Sequence, residues 1–269
     1  TAHISPKSLT VSGNTASNKT YNSNSSATVT VTLSGFVGSE TLTYTNSSSF
    51  NNKNVGTGKT VTVDSITLAD GNNGGLASNY SVTPGQTTTA NITAKSLTVS
   101  GIIASSKTYD GSASATLDTS SVLYSGIISG DTFTGSYTGA FSNANVGTGK
   151  TVTITSSYSG ADTGNYSVTD QSSTTADISA KALTATASVS NKTYDATSSA
   201  TATLTLSGLV GSETLGTTNA STFNNKNVGT GKTVTVNSIT LADGTNGGLA
   251  ANYSISAGQT TTANITAKS

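Results

Sequence analysis

Asn54-Val55-Gly56-Thr57-Gly58-Lys59-Thr60-Val61 recurs letter for letter at 145–152 and again at 227–234. Around this octapeptide two further marks keep their order. Lys19-Thr20-Tyr21, Lys107-Thr108-Tyr109 and Lys192-Thr193-Tyr194 precede it, while Asn79-Tyr80-Ser81, Asn165-Tyr166-Ser167 and Asn252-Tyr253-Ser254 follow it. A fixed period of tens of residues is the signature of an array of like modules, each one supersecondary unit. The 269 residues therefore divide into copies at 7–94, 95–180 and 181–267. Residues 1–6 read as the tail of a preceding copy and 268–269 as the start of a following one. On that expectation the chain is a piece of a longer array. Copies one and three are more alike: Phe50-Asn51-Asn52-Lys53 matches Phe223-Asn224-Asn225-Lys226, where copy two has Phe141-Ser142-Asn143-Ala144. This suggests alternation in the parent protein.

Within a copy, apolar residues recur at every second position, the period of a half-buried strand. Val29, Val31 and Leu33 alternate with threonines, as do Ala202, Leu204 and Leu206. Asp110-Gly111, Asp70-Gly71 and Pro84-Gly85 mark turns between the runs. About seven strands per copy and no helix are expected. One apolar and one hydroxylated side per strand describes a two-layer antiparallel β-sandwich of Ig-like type. Val61 and Val63 stand at odd positions, Ile66 and Leu68 at even ones. A one-residue slip flips every later side chain, so a β-bulge is predicted near Asp64-Ser65, and near Asn237-Ser238 in copy three. Tyr80, Tyr166 and Tyr253 share the phase of Val82, Val168 and Ile255 and should point inward. Residues 87–100 contain neither proline nor glycine. Flexible linkers are rich in those residues or in serine, so stiff joints and a linear, extended array of roughly 100 Å or more are expected.

Charged residues make up only 9% of the chain, and twelve lysines balance twelve acids. Arginine is absent, whereas serine numbers 45 and threonine 54. Hydroxyls thus do the solubilising. Nucleic-acid binding, which relies on basic patches, is not expected. No apolar run approaches the about 20 residues of a membrane span. Without cysteine there are no disulfides and no thiolate metal sites.

No catalytic, cofactor-binding or metal-binding residue is assigned, and the chain is read as non-enzymatic. Val-Gly-Thr-Gly-Lys-Thr superficially resembles a phosphate loop, but Lys53, Ala144 and Lys226 stand where that loop needs its first glycine. Acids recur as Glu40, Asp131 and Glu213, and as Asp70, Asp162 and Asp243; acids beside glycine read as turn formers. Lysines recur as Lys7, Lys95 and Lys181, as Lys19, Lys107 and Lys192, and as Lys59, Lys150 and Lys232. Some surface sandwiches carry an internal lysine–asparagine amide. Asn54 or Asn79 would be the partner here and Glu40 the activating acid, but the threonine and glycine neighbours of Lys19 and Lys59 favour solvated lysines and an unmodified chain.

Lys107-Thr108-Tyr109-Asp110-Gly111 with Ala115-Thr116, followed by an Asn-Val-Gly segment, an Asn-Tyr segment and an alanine–isoleucine strand, resembles the YDG repeats of large bacterial adhesins. All three copies keep that order, with Tyr21-Asn22-Ser23 and Tyr194-Asp195-Ala196 in the tripeptide's place. The resemblance implies an exported, surface-located Gram-negative protein of the filamentous-haemagglutinin or two-partner type, in which such repeats form a stalk. The expected role is to space an adhesive tip from the cell in host attachment or biofilm formation, with adjacent repeats as partners and any host receptor met by other parts of the parent protein. The alternative is that the repeats themselves hold glycan or a neighbouring array, with tyrosines stacking on sugar.

Overall fold

In this computed structural model the structure describes residues 3–269. Thr1 and Ala2 of the expected leading tail lie outside the described residues. Among the described residues every regular element is a strand, except for three one-turn 3-10 helices at Ala77–Asn79, Thr163–Asn165 and Ala250–Asn252. The chain forms two compact units. One holds 3–101, 122–136 and 156–171; the other holds 102–121, 137–155 and 172–269. The long strands Thr134–Phe141 and Gly147–Ser159 supply residues to both.

In the first unit, copy one builds a five-stranded sheet in the order Lys19–Thr20, Thr87–Thr93, Gly56–Asp70, Leu42–Phe50, Ser26–Ala27. Thr10–Ala16 pairs antiparallel with Val29–Ser34 in a second, smaller layer. The predicted alternation holds: Val29, Val31, Val61 and Val63 are buried and their threonine neighbours are not. The predicted bulge is also present. Ser47 pairs with Ser65 and Ser48 with Val63, which leaves Asp64 as the extra residue and returns Ile66 and Leu68 inward. Asn237 has the same place in copy three. Not every pairing is antiparallel. Lys19–Thr20 runs parallel to Ile92–Thr93, and Lys7–Ser8 runs parallel to Tyr80–Ser81. These two-residue pairs also raise the strand number above seven per copy, being too short to carry a visible period.

The octapeptide makes a second irregularity. Gly56 pairs with Ile92 and Lys59 with Ala90, so the Gly-Thr-Gly segment bulges out. Gly58 has a φ of 58°, a left-handed conformation that costs glycine little. Its N–H donates to Asn91 Oδ1 at 2.7 Å. Gly149 and Gly231 repeat this on Asp177 and Asn264. The segment is a glycine-shaped bulge in a sheet, with no helix behind it to hold phosphate.

Where copy one ends, Thr87–Thr93 is followed after a single residue, Ala94, by Lys95–Ser100. The latter is the central strand of a three-stranded sheet with Leu123–Ser125 and Tyr166–Thr169. In the second unit Ser173–Ser179 passes through Ala180 into Lys181–Val189, central between Ala202–Ser207 and Tyr253–Ile255. The core of this unit joins Tyr109, Phe141, Val152 and Ile178 of copy two with Leu183 and Tyr253 of copy three.

Candidate functional site

The Tyr-Asp-Gly tripeptide follows a short edge strand, and each of its residues has a separate task. Asp110 accepts the Lys107 ammonium at 2.8 Å and the Ser112 N–H at 2.9 Å. The same ammonium donates to the Ser112 and Ser114 carbonyls and lies 5.6 Å from the centre of the Phe141 ring. Lys192 with Asp195 over Phe223, and Lys19 with Asn22 over Phe50, repeat the arrangement. The recurring lysine thus ties down the turn. Lys107 holds the Asp110 carboxyl below its ordinary range, and Lys192 brings Asp195 to about 2. The third position turns left-handed in every copy: Ser23 at 65°, Gly111 at 78°, Ala196 at 65°. The tyrosine is thereby presented to the next repeat.

In the second unit that meeting joins copies two and three. Tyr109 and Tyr253 pack edge to face at 5.4 Å between ring centres. Both hydroxyls donate to Glu213 at 2.7 Å, one to each carboxylate oxygen. The Tyr253 hydroxyl also accepts the Val210 N–H. Burial, and then the bond to Glu213, push the Tyr109 hydroxyl up to about 12 and raise Tyr253 as well. The one-turn helix places Asn252 so that its amide oxygen accepts the Val146 N–H at 3.0 Å while its amide nitrogen donates to Asn145 Oδ1 at 3.1 Å. The Asn-Val of the octapeptide is therefore read by the asparagine of the Asn-Tyr segment one copy later. Gly111 faces Val210 so closely that a Cβ would come to 2.9 Å of Cγ1.

The first unit contains the corresponding joint between copies one and two, with more charge. Tyr21 and Tyr166 pack edge to face at 5.6 Å. Val55 donates to Asn165 Oδ1 at 2.9 Å. Instead of one glutamate there are two aspartates. Asp131, its side chain 1% exposed, accepts Tyr166 at 2.6 Å and Ser23 at 2.8 Å. Asp162 accepts the Thr132 N–H at 2.9 Å and the Tyr21 hydroxyl at 3.3 Å. Lys53 bridges them, 2.8 Å from Asp162 and 3.6 Å from Asp131. Buried carboxylates are tolerated when paired and hydrogen-bonded. The bond to Lys53 holds the Asp162 carboxyl low and raises the ammonium in turn. For Asp131, burial works upward, but the hydroxyls of Tyr166, Ser23 and Tyr21 outweigh it and the carboxyl stays low. Burial pushes the Tyr166 hydroxyl up to about 12, helped by Asp131.

The three tyrosines expected to point inward, Tyr80, Tyr166 and Tyr253, are buried. The grouping of Asp162 with Asp70 and Asp243 does not hold. Asp70 and Asp243 accept the N–H of Ala77 and Ala250 within their own copies. Asp162 instead occupies the position before the one-turn helix that Leu76 and Leu249 hold elsewhere. Nor do the residues considered for an amide cross-link meet. Glu40 bonds Tyr80 at 2.5 Å, and Lys59 reaches Asn52 rather than Asn54 or Asn79. Sequence reasoning also left Tyr21, Tyr109, Lys53 and Asn165 without a role. The signal available was that Lys53, Ala144 and Lys226 vary in step with their copy's place in the alternation.

The YDG domain family matches residues 5–90, 93–176 and 179–263. No curated protein matches. Among solved structures, the crystal structure of the I9–I11 tandem from titin is similar at 9% identity over 97% of this chain and 100% of that one, with a TM-score of 0.23.

Proposed function

The chain belongs to the YDG domain family through all three of its repeats, and on that premise we propose that it is a structural spacer, the stalk of a large bacterial surface adhesin that holds a binding tip away from the cell. One observation carries this reading: the tyrosine of the family's signature is consumed by the next repeat. Tyr21 and Tyr109 are buried against Tyr166 and Tyr253, and their hydroxyls are committed to carboxylates. A chemical group that recurs in every copy is here an inter-repeat fastener rather than an open site. The same burial removes four of the ten tyrosines from any role in stacking on sugar, which favours the spacer over the glycan-binding alternative. Secretion to the cell surface and service in attachment or biofilm formation belong to this proposal.

Small-angle scattering tests it. A spacer must be a rod, roughly 100 Å or longer for three modules. A single compact globule in solution would end the spacer reading. Specific retention of the isolated chain on a glycan array would favour the alternative.

A further inference from the structure

We infer that the face of copy three formed by Tyr194, Lys226, Asn227 and Val228 docks a further YDG repeat of one class only, the class whose receiving face carries two carboxylates in the positions of Asp131 and Asp162. The inference rests on the two formed joints and not on the spacer reading.

Each copy presents an outgoing face, made of the signature tyrosine, the residue two places after it, and the octapeptide's Asn-Val with the residue before it. Each also has a receiving face, made of the Asn-Tyr segment, the residue before the one-turn helix, and the recurring Glu or Asp. Where faces meet they are covered. Val55 and Val146 are partly buried, and Asn165 and Asn252 are buried. The outgoing face of copy three is open, with Val228 54% exposed and Lys226 and Asn227 exposed. The receiving face of copy one is open too, with Val37 52% exposed and Asn79 exposed. The occupant is thus known in kind, because the same face is filled twice in the chain by the same kind of surface.

The two formed joints differ in a matched way. Copy one sends out Lys53 and Ser23, and copy two receives them with Asp162 and Asp131. Copy two sends out Ala144 and Gly111; copy three meets Gly111 with Val210 and the signature tyrosine with the single Glu213, and has Leu249 in the position of Asp162. A sent-out lysine goes with a second carboxylate on the receiving copy; a sent-out alanine goes with a leucine in that carboxylate's position. Copy three sends out Lys226 and Ala196, the lysine class. Copy one receives with Glu40, Leu76 and Val37, the leucine class. Were copy three to dock on a face like that of copy one, Lys226 would lose its nearer carboxylate to a leucine. Leaving a charge unpaired in a closed interface is strongly unfavourable. The joint therefore sorts its neighbours, and copies of the two classes must alternate.

Two extended chains test this. Both keep residues 1–269 intact. One continues with a second stretch of 97–269, offering copy two's receiving face; the other continues with 9–269, offering copy one's; in both, Lys268 and Ser269 already supply the first two residues of the added repeat. Lys226→Ala in each appended copy three makes the original Lys226 unique. The readout is the rate of acetylation of Lys226, set by its free-amine fraction, which falls tenfold for each unit of raised pKa. In the first chain Lys226 should slow at least about tenfold relative to the parent chain, approaching Lys53. In the second it should keep the parent rate, and Leu76→Asp in the appended copy one should then slow it. Equal slowing in both chains, no slowing in the first, or no response to Leu76→Asp would each overturn the inference.

Discussion

Replacing Tyr166 by alanine is the sharpest probe of the joint in the first unit. Its ring lies between Tyr21 and Phe133, with ring centres 5.6 and 5.8 Å away and near-perpendicular planes. Truncating a buried aromatic of this size costs about 3–5 kcal/mol, cavity included. The hydroxyl adds a second loss, since it donates to Asp131 and accepts the Ile128 N–H. Hydrogen bonds to charged groups contribute about 1.5–3 kcal/mol each. Tyr166→Phe should therefore cost about 1.5–3 kcal/mol, and Tyr166→Ala at least about 3–5. A chain of two compact units need not melt in one step, so hydrogen exchange resolved by residue is the assay. Protection should fall at the Val55 N–H and along Lys95–Ser100, and hold at Val234 and Val236 in the second unit. A loss below about 1 kcal/mol for the alanine variant, far under the aromatic range, would refute the buried-joint reasoning.

The joints should also respond to pH at both extremes. The Tyr109 and Tyr166 hydroxyls are raised from 10.0 to about 12, so their contribution is complete below pH 10 and disappears between 10 and 12. Both units should loosen over that window by hydrogen exchange, and Tyr109→Phe and Tyr166→Phe should remove the part of the near-ultraviolet titration that lies above 10; loss of absorbance change at 10 or below in those variants would contradict this. Asp131 and Asp162 are held below 3.8, so what they contribute to the joint in the first unit is present above pH 3.8 and lost as acid takes the pH lower. Gly149→Ala meets no atom within 4 Å but inherits a φ of 56°. It should cost about 1 kcal/mol in denaturant melts, and a neutral result would remove the conformational account of the bulge. The intact mass should equal that of the sequence, because Lys59 bonds Asn52 and the proposed Glu40 bonds Tyr80; a deficit matching lost ammonia would reverse this.

The sandwich strands could be read from the sequence because their information is local. Val61 and Val63 against Ile66 and Leu68 fix both the buried side and the bulge at Asp64, all within eight residues. Tyr80, Tyr166 and Tyr253 gave away their burial through phase with their neighbours. The joint could not be read in the same way. Tyr109-Asp110-Gly111 reads as a turn, and a turn is what it forms, but the partner of Tyr109 is Glu213, 104 residues on. Asp162 was misgrouped because the loop before the Asn-Tyr segment is shorter in copy two, so alignment by letter paired it with the turn acids Asp70 and Asp243. Only the opposing Lys53 distinguishes it. A single sequence specifies such a pair through three-dimensional proximity alone.

The one-residue passage at Ala94 has a mechanical consequence. The strand before it, Thr87–Thr93, has ladder partners on both sides, Lys19–Thr20 and Gly56–Asp70. The strand after it, Lys95–Ser100, is likewise flanked by Leu123–Ser125 and Tyr166–Thr169. Tension carried along the backbone through Ala94 therefore enters an interior strand on either side of the joint. Ladder hydrogen bonds lie across the strand direction. A pull along these strands loads many of those bonds together, in shear, instead of peeling an edge strand open one bond at a time. Ala180 stands in the same relation to its flanking strands in the second unit, since Ser173–Ser179 and Lys181–Val189 are each paired on both sides.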